Sequence, residues 1–255
     1  MSRGRYLRIS AARRIVADIM HFSVNRPLIP IEREMNLAAL VEARSRVPGS
    51  RPGWCAIFVE AYSVLSSHLP ELRRAYVPYP WERLFECEYP VAAIAVEREL
   101  EGEPAVLPGV LKSPQVLTLL QIEEFLTRCK TGPFDGVTSL RRAVRYLHWP
   151  RFLRRWLWAY GLNWRGSKRG DYFGTFGVSV TAGMGAATLA LLSPLTTTLH
   201  YGRFDESGRL PVRITFDHHV LDAGVVARAM VRLEEILNGE VLAELRGLGE
   251  KSEAA

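Results

Sequence analysis

Apolar positions recur at helical spacing over residues 11–22, where Ile15, Val16, Ile19 and Met20 share one face behind a capping Ser10. Pro27 and Pro30 then enforce extended chain. Asn36 can cap a second helix over 37–45, which stops before Pro48 and Gly49. A third, strongly apolar helix is predicted over Trp54–His68. Residues 85–88 and 91–96 read as a pair of strands, 97–103 as an acidic turn, and 105–111 as returning extended chain. Ser113-Pro114 is a favourable start for a helix that ends near Gly132. Strands follow at 173–180, 196–201 and 210–217. A last helix over 225–237 closes at Asn238-Gly239, and the tail from Gly249 reads as loose. No internal repeat is present. The pattern is that of an α+β fold whose strands need not be neighbours in sequence.

Composition narrows the class. The chain has 255 residues, 48% of them apolar and 24% charged, which excludes a disordered, collagenous or coiled-coil protein. Cys55, Cys87 and Cys129 are far apart and show no C-x-x-C spacing. That argues against a disulfide framework and a structural zinc site, and makes a reducing cytosol the simplest location. Arg13, Arg14 and Asp18 interrupt any signal-peptide core near the N-terminus. No charged residue lies between Asp171 and Arg203, but the threonines, glycines and Pro194 in that stretch favour buried strands over a membrane helix.

The net charge is +6, and the basic excess is concentrated in residues 139–170. There Arg141, Arg142, Arg145, Arg151, Arg154 and Arg155 alternate with Trp149, Trp156 and Trp158, and Pro150 splits the stretch into two short helices. Phe152, Leu153, Trp156, Leu157 and Tyr160 fall at helical spacing, with positive charge on the other face. One reading is an amphipathic helix packed on its own domain, with a solvated basic face. A second is peripheral contact with an anionic membrane surface. A third is a dock for an acidic protein or for cofactor phosphates. Nucleic acid ranks lower, because the excess is confined to this one insert.

The sharpest chemical signal is the run 214–224, ITFDHHVLDAG, which follows a strand and precedes a helix. His218 and Asp222 have the spacing H-x-x-x-D. Histidine suits general-base work at neutral pH, and an aspartate four residues on can hold the loop. A metal site from Asp217, His218, His219 and Asp222 is the competing reading. Adjacent histidines on a continuing strand point to opposite faces, which argues against joint ligation.

DHHVLDAG resembles the DHRVxDGA signature of the acyltransferase subunit of 2-oxo acid dehydrogenase complexes, and the HHxxxDG signature of chloramphenicol acetyltransferase. The similarity extends along residues 8–248. ISAARRIVADIM resembles the family's opening helix, and VAAIAVERELEGEPAVLPGVLKSP its strand, acidic turn and strand. FGTFGVSVTAGMGA followed by LLSPLTTTLHYGR resembles its GTFTISNLG and N-P-P-x-x-A-I-L-x-V-G segments. The 139–170 insert is the main excess. Asp222-Ala223, with Gly224 one place later, and His219 in place of arginine are departures.

The resemblance implies a chloramphenicol acetyltransferase-like two-layer sandwich, a mixed sheet with helices, as one lobe over residues 1–255. It implies His218 as catalytic base, Ser179 as oxyanion donor with Thr181 as fallback, and Asp222 as a loop-holding residue. Asn36-Leu37 falls in a substrate-side segment without an assigned role. The implied substrate is an acyl thioester of coenzyme A or of an acyl carrier protein, with a hydroxyl or thiol acceptor and no metal. Neither a lipoyl domain nor a lipoyl group is expected on this chain. The implied assembly is a homotrimer, with His218 and Ser179 contributed to each site by different subunits. Two alternatives stand beside this: a catalytically inactive trimeric scaffold, and a complex core served by a lipoyl-bearing chain.

Overall fold

The computed structural model describes residues 4, 6–49, 51–179, 189 and 191–253. A six-stranded mixed sheet organises them. Its strands are β1 (Leu28–Asn36), β4 (Val91–Leu100), β5 (Glu103–Lys112), β6 (Phe176–Val178), β7 (Thr197–Tyr201) and β8 (Arg209–Asp217), in the order β1-β8-β7-β6-β4-β5. β6 runs parallel to β4 and β7, and the remaining pairs are antiparallel. The edge strands β1 and β5 carry Pro30, Pro104 and Pro108, where a missing N–H costs least. A separate ribbon pairs β2 (Arg74–Val77) with β3 (Arg83–Glu86).

The helix α3 (Trp54–His68) is apolar nearly all round and lies buried on the sheet. Phe58 stacks on Tyr201 at 4.3 Å and Tyr62 packs on Phe176 at 4.6 Å. The Tyr62 hydroxyl also donates to Thr197 Oγ1 at 2.8 Å. α4 (Leu119–Thr131) and α8 (Ala223–Ile236) flank α3, and α2 (Ala38–Arg46) packs against the C-terminal α9 (Leu242–Glu253). Beyond β5 lie α1 (Ala11–Ser23), α5 (Thr138–Leu147), α6 (Arg151–Asn163) and α7 (Gly166–Phe173). Among the described residues, no helix is long and apolar enough to cross a membrane.

Several expected boundaries shift. Residues 85–88 do not pair with 91–96, because β3 joins β2 while β4 joins β5 and β6. The acidic segment 97–103 is mostly strand. Val96 and Leu100 stay buried while Glu97 and Glu99 face out, and the turn narrows to Glu101-Gly102, both at positive φ. Pro114–Val116 makes only a short 3-10 turn, and α4 starts five residues later than expected, at a Thr118–Gln121 capping box. The strand expected at 173–180 is cut to Phe176–Val178, since α7 runs through Phe173 and Gly174 turns the chain at φ 91°. Asn238-Gly239 does not end the last helix. A π-turn over Leu237–Val241 keeps Leu237 and Val241 buried and leads into α9, so the tail expected to be loose from Gly249 is helical as far as Glu253.

The insert forms three helices rather than two, and its basic face is not wholly solvated. Arg154 is buried, donating to Asp18 at 2.8 Å and to the Trp149 carbonyl at 3.0 Å. Arg155 also reaches Asp18, at 3.2 Å. Asp18 on α1, itself buried, turns this part of α6 inward, while Phe152 and Trp156 are exposed. Arg169 on α7 is fully buried against the carbonyls of Tyr76 and Pro194, and burial lowers its pKa.

Candidate active site

The turn between β8 and α8 is organised by Asp217. Its backbone carbonyl accepts from the N–H groups of Val220 and Leu221. Its carboxylate accepts from the His219 N–H at 3.0 Å, lies 2.8 Å from His219 Nδ1, and pairs with Arg26 at 2.9 Å. Both charged side chains are buried. His219 stacks on Tyr76 at 4.5 Å, so its ring is held away from its neighbour's.

His218 leaves this turn in a different direction. Its N–H donates to the Pro27 carbonyl at 3.0 Å, and its Nδ1 lies 2.8 Å from the Leu221 carbonyl. A carbonyl can only accept, so Nδ1 carries the proton and the lone pair resides on Nε2. The side chain is 44% exposed. Asp222 is the N-cap of α8 and lies 3.7 Å from His218 Nδ1, with its own side chain 84% exposed. Neither Ala223 nor Gly224 adopts positive φ, so the shifted glycine imposes no strain on the helix start.

Ser179 follows β6, the shortest strand in the sheet. Its N–H donates to the Leu199 carbonyl at 3.1 Å, and its own carbonyl accepts from His200 Nδ1 at 2.6 Å. Burial lowers the His200 pKa, which favours the neutral ring in that bond. β4 runs on to Leu100 past the end of β6, and Ser179 sits where the shorter strand stops. Thr181 lies outside the described residues.

One chain does not bring His218 and Ser179 together. Ser179 is level with His200 and Arg213, whereas His218 lies five residues further along β8. That is about 17 Å along the strands and about 10 Å across them. The two side chains therefore sit far apart in one chain, His218 just past the end of β8 and Ser179 level with its middle.

Two cavities meet at Ser179, sharing Ile94, Ala95, Val106 and Val178 in their linings. The larger, about 870 Å³, carries the cationic side chains Arg44, Lys130 and Arg203 and the acidic Glu97 and Glu123 beside Trp54 and Phe204. The smaller, about 310 Å³, is overwhelmingly apolar and is walled in part by α5, α6 and α7.

Sequence reasoning placed the loop-holding role on Asp222 and missed Asp217, Arg26 and Tyr76. The signal for Asp217 was its position as the last strand residue before the two histidines. Its partner Arg26 lies 191 positions earlier in the chain, so no local pattern pairs them.

No family model matches the sequence, and no curated protein matches it. Solved structures do. A probable dihydrolipoamide acetyltransferase from Listeria monocytogenes 4b F2365 is 14% identical with a TM-score of 0.63, over 92% of this chain and 95% of the other. Dihydrolipoamide acetyltransferase from Azotobacter vinelandii is 17% identical with a TM-score of 0.66, over 94% and 93%. In that enzyme a serine, a histidine and an asparagine four positions after the histidine have been investigated for roles in the catalytic mechanism. A chloramphenicol acetyltransferase is 12% identical with a TM-score of 0.52, over 91% and 99%. The chain thus has the chloramphenicol acetyltransferase-like α+β fold that its motifs resemble, as a single lobe shared with dihydrolipoamide acetyltransferase catalytic cores.

Proposed function

We propose that this chain is an acyltransferase that moves an acyl group from a pantetheine thioester, carried on coenzyme A or an acyl carrier protein, to a hydroxyl or thiol. The observation that carries this reading is the state of His218. Its Nδ1 is engaged by the Leu221 carbonyl, and the ring is accessible on the turn of a fold shared with acetyltransferases. In the proposed reaction Nε2 takes the proton of the acceptor X–H. X then attacks the thioester carbonyl carbon, and Ser179 donates to the resulting oxyanion. The oxyanion collapses, the C–S bond breaks, and the imidazolium returns its proton to the departing thiolate. Asp217 and Arg26 position the loop. Arg44, Lys130 and Arg203, which outnumber Glu97 and Glu123 in the lining of the larger cavity, supply partners for the phosphates of coenzyme A or of a carrier's prosthetic arm.

The reading includes a homotrimer, because His218 and Ser179 must come from different copies. The exposed Tyr6, Leu7 and Ile9 offer apolar surface for a neighbour. The pyruvate dehydrogenase core with this fold is cubic, and a cube has threefold axes at its corners. An exposed His218 favours catalysis over the scaffold alternative, which has no need of an accessible ring. The test is release of free thiol from acyl-coenzyme A in the presence of candidate thiols and alcohols. Wild type is expected to exceed His218→Ala. Equal background rates from both proteins would remove the reading.

A further inference from the structure

We infer that the cavity beneath the insert helices binds a straight aliphatic acyl chain, so that the preferred acyl group is several carbons longer than acetyl. This rests on the acyl-transfer reading above and names the acyl group for it. The cavity lies on the face of the sheet where Ala93, Gly177 and Thr198 point, opposite α3. Its roof comes from Ala143, Tyr146, Leu157 and Trp158 of α5 and α6, with Phe173 of α7 and Ile19 of α1 closing the side. Trp158 is fixed between Phe22 at 5.9 Å and Phe173 at 4.9 Å, so the wall is preformed. At Gly177 a Cβ would meet Leu195 and Thr198 at 3.2 Å, and the bare glycine keeps the floor low next to Ser179.

The polar groups that border the cavity are mostly engaged elsewhere. Ser139 Oγ accepts from the Val110 N–H at 3.0 Å, and Ser193 Oγ from the Leu195 N–H at 3.2 Å. The Arg142 guanidinium lies over the Tyr172 ring at 4.2 Å. An apolar space of about 310 Å³ offers water few partners, and such spaces favour apolar guests. The Ser179 side of the cavity is where the thioester carbonyl must sit. A chain attached to that carbonyl has this space directly in front of it, and the carrier's arm has the larger cavity. The wall is built from the 139–170 insert, which makes chain length the property that the insert sets.

The test uses straight-chain S-acyl-pantetheines of two to twelve carbons, titrated onto the whole protein and followed by calorimetry. Affinity is expected to rise about fourfold per added methylene, the factor equivalent to ~0.8 kcal/mol, and then to level off. Ala143→Phe, which places a ring in the cavity, should move the levelling point to shorter chains. As a check that needs no variant to fold, a decanoyl-pantetheine brominated at its terminal carbon should quench tryptophan fluorescence in wild type more than the acetyl compound does. Equal affinities for the acetyl and decanoyl compounds, equal quenching, or a levelling point unmoved by Ala143→Phe would each overturn the inference. Failure of the catalytic reading is separate: thiol release would not respond to His218→Ala, while the binding series would stay as measured.

Discussion

The Leu221 carbonyl oxygen lies 2.8 Å from His218 Nδ1, and this bond decides which ring nitrogen can act as a base. The acceptor belongs to the backbone of the same turn, so the tautomer is set by the loop's own fold. Asp222, at 3.7 Å, is too far to share the bond.

That relationship leads to the first prediction. His218→Asn keeps an N–H donor near the Leu221 carbonyl but has no group able to take a proton. Thiol release is expected to fall by about 10²–10⁴. A thermal melt should show stability within roughly 0.5 kcal/mol of wild type, because the site is exposed. A variant with full turnover would show that the ring is not the base.

The separation of His218 and Ser179 gives a second prediction. His218→Asn and Ser179→Ala are each expected to be impaired, the latter by about 10²–10³ in rate. Unfolded together in equal amounts and refolded, they should regain activity. In a random mixture about three quarters of trimers are mixed, and each mixed trimer holds one intact site of three, so about one quarter of wild-type activity returns. A mixture no better than its components would place both groups in one subunit or show that no trimer forms.

Asp217 and Arg26 supply the third. Both are buried, and each is the other's charge partner. Arg26→Met leaves a buried carboxylate without its direct guanidinium partner, and the cost is expected near 3–5 kcal/mol, read from urea unfolding. Asp217→Asn should lower turnover more than it weakens thioester binding, since it loosens the turn that aims His218 without touching either cavity.

The fourth concerns pH. Glu60 on α3 is buried, and one of its carboxyl oxygens has no hydrogen-bond partner. Burial, reinforced by Glu244 and Glu240, raises its pKa from the ordinary carboxylate range to about 9. Between the unfolded value and the raised folded one, the folded state binds more protons. Stability is therefore full below the unfolded pKa and falls as pH rises through the folded one. Glu60→Gln should melt higher than wild type at pH 8, and the gap should shrink toward pH 4.

The local elements were legible in the sequence. α3 was predicted at its observed bounds, because a mostly apolar run between Gly53 and Pro70 leaves little choice. The strand–turn–helix setting of His218 was legible for the same reason: period and turn chemistry are written in neighbouring residues. Boundaries failed where a distant partner decided them. The first turn of α4 is anchored by Glu244, which accepts from the Leu119 N–H at 2.9 Å, and buried Leu237 and Val241 carried the last helix past Asn238-Gly239.

By itself the sequence determined the α+β class, the H-x-x-x-D turn between a strand and a helix, and the basic aromatic character of the insert. These depend on residues within a few positions of one another. Tertiary structure alone decided that β3 leaves β4 for β2, that Asp217 rather than Asp222 gathers the turn's hydrogen bonds, and that His218 and Ser179 stand five residues apart along the sheet and two strands apart across it. It also turned Arg154 inward onto Asp18 and roofed a cavity with the insert. Arg26–Asp217 and Arg154–Asp18 join groups more than a hundred positions apart, and a pairing at that range is chosen by burial and charge in the assembled core rather than by any local pattern.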